Sequence, residues 1–63
     1  MIEVVFYRTD GREIARVDMP SVPRERENVF IDGGIGMVVG RASYEITGPA
    51  NDRKATARVL LLG

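Results

Sequence analysis

The side chains that most often carry chemistry are scarce in this sequence. There is no histidine and no cysteine. That removes the commonest general base, the strongest nucleophile at neutral pH and the usual ligands of a structural zinc ion. Serine occurs only at Ser21 and Ser43, and neither stands in the strand-to-helix setting that exposes a nucleophilic hydroxyl. Glu25 and Glu27 are spaced closely enough to act as a carboxylate pair. They alternate with Arg24 and Arg26, however, and that alternation is the pattern of a solvated, charged connector. No catalytic, cofactor-binding or metal-ligating set emerges, so the residue types argue against an enzyme.

Three groups of residues remain as candidates for binding. The first is Gly33-Gly34-Ile35-Gly36, where bare backbone N–H groups could converge on an anion. No Lys-Ser/Thr follows it, and Val39 stands where a dinucleotide fingerprint needs its third glycine. The stretch therefore reads as a turn and a bend. The second group is basic: Arg16, Arg41 and Arg58 fall in the outward register of their strands, with Arg53 and Lys54 in a loop. Tyr7 is the one aromatic placed outward beside them, while Asp18 and Glu45 dilute the field. Small barrels that bind single strands combine a basic groove with stacked aromatics, so this group supports nucleic-acid binding. The third group is apolar. Met37, Val39, Leu60 and Leu62 fall in the register that is otherwise polar, and Val5 and Tyr7 extend it. An apolar cluster of this kind on a small protein marks an interface.

These residues must be positioned by strands, because the hydrophobic period is two along nearly the whole chain. Ile2–Arg8 alternates, with Ile2, Val4 and Phe6 on one face and Glu3, Val5 and Tyr7 on the other. Asp10-Gly11 is a hairpin signal, since glycine tolerates positive φ. Glu13–Met19 turns Ala15, Val17 and Met19 inward, and Pro20 ends it for want of a backbone donor. The segment from Pro20 to Asn28 has little to bury and reads as an extended connector and loop. Val29–Asp32 is a short third strand closed by Gly33-Gly34. From Gly36 to Ile46 the even positions are small or apolar and the odd ones mostly polar, which predicts a long fourth strand bent at Gly40. Gly48–Lys54 is a polar loop, and Ala55–Leu62 is the last strand, with Ala55, Ala57, Val59 and Leu61 inward.

Five strands, short turns and a bent fourth strand predict an all-β fold, a small, strongly bent five-stranded barrel. The arrangement resembles a Src-homology-3-like (SH3-like) barrel. That resemblance is one of architecture and implies no functional residues.

The 63 residues allow a single small domain, residues 1–63. A chain of this size buries only about 60% of its unfolded surface, so self-association is an expected source of added stability. Nine basic and nine acidic side chains give a net charge of zero, which favours neither nucleic acid nor an anionic membrane. Eight of the nine basic residues are arginine, with Lys54 the exception. Genomic nucleotide bias produces such an excess, and so does selection for bidentate contacts. The N-terminus begins Met-Ile-Glu-Val-Val, without the basic start of a signal peptide, and this predicts a cytoplasmic protein.

The sequence thus points to a non-enzymatic interaction module of the kind found among small phage or operon accessory and inhibitor proteins. It is expected to bind another protein and to form a homo-oligomer, without cofactor, metal or membrane. The interaction residues are Tyr7, Met37, Val39, Arg41, Leu60 and Leu62. Two alternatives stand beside it: a nucleic-acid-binding barrel using the outward arginines, and a binder of a small phosphate-bearing ligand at a subunit interface, where Gly33–Gly36 and Arg41 would meet.

Overall fold

A computed structural model describes every residue from Met1 to Gly63. Five strands form one sheet: β1 (Ile2–Tyr7), β2 (Glu13–Met19), β3 (Asn28–Val29), β4 (Met37–Thr47) and β5 (Lys54–Leu62). Their order is β2-β1-β5-β4-β3, and the sheet is curled into a half-barrel whose edge strands β2 and β3 do not meet. The all-β, five-stranded, strongly bent architecture is the one the alternation predicts. No helix is long and apolar enough to cross a membrane.

The two hairpins are local. β1 and β2 pair antiparallel, joined by a turn in which the Arg8 N–H donates to the Arg12 carbonyl at 2.9 Å and Gly11 takes φ +87°. The Asp10 carboxylate holds this turn by accepting from the Arg12 N–H at 2.9 Å, the local bond that makes aspartate a turn residue. β4 and β5 form the second antiparallel hairpin, from Val38↔Leu62 to Thr47↔Lys54. The hairpins are joined by a parallel ladder between β1 and β5, running from Glu3↔Thr56 to Tyr7↔Leu60.

Residues opposite one another in a ladder share a face of the sheet, so the registers fix what each side carries. The inner face holds Val4, Phe6, Val39, Ala57, Val59 and Leu61, which form the buried core. Ile14, Val22, Val29, Ile31 and Met37 pack against it, drawn from β2, from the connection between β2 and β4, and from the start of β4.

Three expectations are corrected. The third strand covers Asn28–Val29 and not Val29–Asp32, because Asp32 and Gly33 both take positive φ and the Gly34 N–H closes a turn onto the Ile31 carbonyl at 3.0 Å. Val39 does not face outward: it is 1% exposed in the core. Met37, expected outward, also packs on that core. One bulge explains both. Val39 pairs with Leu61 and Arg41 with Leu60, which leaves Gly40 as an extra residue. An inserted residue reverses the alternation on one side of it. Met37 and Val39 therefore turn inward, and Val38, from the small or apolar register, is exposed beside Leu62.

Candidate functional site

The outer face is best followed row by row across β1, β5 and β4. Tyr7 lies beside Leu60, and Leu60 beside Arg41; Val5 lies beside Arg58, and Arg58 beside Ser43; Glu3 lies beside Thr56, and Thr56 beside Glu45. The first two rows except for the buried Val5, with Arg8, Thr9 and Gly11 from the β1–β2 turn, line a pocket of about 260 Å³. Three arginines, Arg8, Arg41 and Arg58, are among its lining residues, and no aspartate or glutamate is.

The charge state of this pocket follows from what its arginines lack. The chain's ion pairs belong to Arg16, which contacts Glu3 at 3.0 Å and Glu13 at 2.8 Å. None of the three pocket arginines is in a salt bridge or donates a side-chain hydrogen bond within the chain. Arg58 is instead laid over the Tyr7 ring, with its guanidinium carbon 4.6 Å from the ring centre. That distance is within the range of a cation–π contact, which orients the group without neutralising it. Val5, 2% exposed although it lies on the outer face, sits between Arg16 and Arg58. The aliphatic stems of two flanking arginines are well suited to cover such a residue while their charged ends stay in water.

Arg16 shows the opposite condition on the same face. A bulge between Phe6 and Tyr7 in the β1–β2 ladder brings Glu13 to the same side as Arg16. The Glu13 carboxyl is held below its ordinary pKa of 4.5, chiefly by the hydrogen bond from Arg16, with a smaller charge–charge contribution. The Arg16 guanidinium is raised in turn, first by Glu13 and then by Glu3.

Of the interaction residues expected from sequence, Tyr7, Arg41 and Leu60 are brought together in the pocket. Leu62 is 42% exposed next to Val38, whereas Met37 and Val39 belong to the inner side. Arg16 lies across Val5 from Arg58 and is held by its own acidic partners, Glu3 and Glu13. Arg53 and Lys54 lie in a different groove together with Glu3 and Asp18. Arg8, Thr9, Gly11 and Ser43 also line the pocket, and none of them is among the interaction residues that the sequence marks. The signal for them is the parallel β1–β5 register, which local alternation does not carry. Comparison with protein-family models, with curated proteins and with solved structures finds no match for this chain.

Proposed function

We propose that this chain is a non-enzymatic interaction module that docks on a partner protein by taking one of its anionic groups into the Arg8–Arg41–Arg58 pocket. The observation that carries this reading is a pocket lined by three arginines, none of them in a salt bridge, and by no acidic residue. Like charges held together favour an incoming anion, and guanidinium forks bind a carboxylate or phosphate in bidentate geometry. Ser43 and Thr9 add hydroxyls at the rim, and Leu60 adds an apolar wall. The pocket suits one anionic group better than a nucleic-acid strand. Its single aromatic is already covered by Arg58, whereas strand binding needs open rings for stacking. A module of this kind would act as an accessory or inhibitor protein by occupying its partner's acidic surface.

Titrating the isotopically labelled protein with a glutamate-rich peptide, inorganic phosphate and a single-stranded oligonucleotide tests this. The peptide is expected to shift the amide signals of Tyr7–Gly11, Arg41–Ser43 and Arg58–Leu60. Arg58→Glu and Arg8→Glu should each weaken that binding by about tenfold or more, the scale of a lost charge-assisted contact. Arg53→Glu, outside the pocket, should leave it unchanged. Peptide binding that survives Arg58→Glu would overturn the reading. Preferential oligonucleotide binding with steep salt dependence would replace it with nucleic-acid recognition.

A further inference from the structure

β4 leaves an unusual amount of backbone without a partner. On one side it pairs with β5 along almost its whole length. On the other, β3 reaches only Met37 and Val38, and the Glu27 carbonyl and Arg26 N–H bond the Val39 backbone at 2.9 and 2.8 Å. From Arg41 to Thr47 that edge has no strand or backbone hydrogen-bond partner within the chain, although residues 20–25 border a groove beside Ala42 and Tyr44. Exposed edges in monomers are usually blunted by proline, by lysine or by a bulge within the strand. This one reads Arg-Ala-Ser-Tyr-Glu-Ile-Thr, with no proline and no lysine. Its inner side presents Tyr44 at 61% exposure and Ile46 at 55%.

The order of residues along this edge is self-complementary. A twofold axis normal to the sheet would set a second copy antiparallel and keep the inner faces continuous, so facing residues must share a face. With Ser43 opposite the same residue of the second copy, Arg41 faces Glu45 and Ala42 faces Tyr44, each twice. Both charges, unpaired within the chain, then meet an opposite, and each tyrosine ring lies against an alanine methyl. Centring the axis on Arg41 or on Glu45 would oppose like charges. Centring it on Ala42 or Tyr44 would leave both charges unpaired. The Ser43 register also ends short of Val39, whose edge is taken. We propose that the free edge of β4 is a self-pairing surface that joins two copies of this chain antiparallel about Ser43. The other free edge, on β2, is less suited: its Arg16 is already held by Glu3 and Glu13, and the bulge at Ile14 interrupts it.

The proposal shares Arg41 and Ser43 with the anion-binding pocket, and Glu45 separates the two readings because it does not line that pocket. Sedimentation across a range of concentrations should show a wild-type dimer. Arg41→Glu and Glu45→Arg should each raise the dimer dissociation constant by about tenfold or more, since each replaces two attractive cross-strand pairs by repulsive ones. Combining both changes in one chain should restore the dimer. An equimolar mixture of the two single variants should form a heterodimer, which also shows that both remain folded. A protein that stays monomeric throughout overturns the proposal, as does a Glu45→Arg variant that dimerises like wild type. A dimer unaffected by these changes but broken by Asp18→Arg places the contact on β2 and equally overturns it. Loss of dimerisation in Glu45→Arg upholds this proposal, and peptide binding that stays intact in that variant keeps the pocket reading separate from it.

Discussion

On one side of Gly40, β4 is bonded along both edges, and Val39 is 1% exposed with Met37 packed beside it. On the other side the same strand is bonded only to β5, and every residue from Arg41 to Thr47 is exposed. Hydropathy does not account for the contrast, since Tyr44 and Ile46 are as able to be buried as Val39. The cause is cover. The connection between β2 and β4 packs Val22, Val29 and Ile31 against the core, whereas beside Ala42 and Tyr44 its residues 20–25 only border an open groove. Val4 and Ala57, in the row that ends at Tyr44, are fully buried while Tyr44 is open. That row is therefore packed at its centre and open at both ends, with Val17, at the end opposite Tyr44, 46% exposed.

The contrast can be broken most severely at its buried end. Val39→Ala removes methyl groups from a closed site and should cost about 2–3 kcal/mol, the range of core truncations. Ile46→Ala should cost below about 0.5 kcal/mol, as an exposed substitution does. Urea unfolding of both variants, at a concentration below that of self-association, measures the difference. Equal losses would mean that the inner face is covered evenly.

The glycines that delimit the exposed half come next. At Gly48, φ is +102° and an added Cβ would lie 2.5 Å from the Asp52 carbonyl oxygen, a backbone atom with no freedom to move aside. Gly48→Ala should destabilise by about 1–3 kcal/mol. At Gly40 a Cβ would come within 2.8 Å of the Leu62 side chain, but Leu62 is 42% exposed and can turn away. Gly40→Ala should therefore cost about 1 kcal/mol or less, and Gly40→Val about 1–3 kcal/mol, as overpacking does. Melting curves that rank Gly40→Ala as the more damaging alanine substitution would show that the bulge, and not the hairpin end, holds β4 in place.

The smallest effect lies on the outer face, where the neutralised Arg16 differs from the free arginines of the pocket. The folded Glu13 carboxyl titrates below its ordinary value of 4.5. Folding therefore favours its ionised form. The resulting stabilisation is present above about pH 4.5, where the unfolded group is also ionised, and is lost as pH falls through the lower folded value. Both partners are solvent-exposed, so the contribution is small. Arg16→Ala should flatten this part of the pH–stability curve, while Arg41→Ala should leave it unchanged. Midpoints measured between pH 3 and pH 6 in ~0.1 M salt, where screening reaches about 10 Å, decide it.

What could be read from the sequence was what depends on near neighbours. The alternation of β1, β2 and β5, the Asp10-Gly11 turn and the bend at Gly40 follow from adjacent residues. The face of Val39 does not, because a single extra residue at Gly40 reverses the parity that alternation assumes. The arginine pocket was legible only in part. Tyr7, Arg41 and Leu60 could each be placed outward, but nothing local shows that Tyr7 stands beside Leu60 or that Arg8 closes the same pocket. That information lies in the parallel β1–β5 ladder, which pairs residues from opposite ends of the sequence.

The same ladder shapes how the protein must fold. Each hairpin alone is two strands with one side of its core missing, and such ribbons are at best marginal in water. Stability is reached only when Glu3–Tyr7 finds Thr56–Leu60, a closure that spans most of the chain and must be met entropically before it returns any burial. Folding is therefore governed by one late, long-range encounter. Its rate belongs with the slow, high-contact-order β proteins despite the chain's small size, and β1 through β4 have no stable sheet to join until β5 completes it.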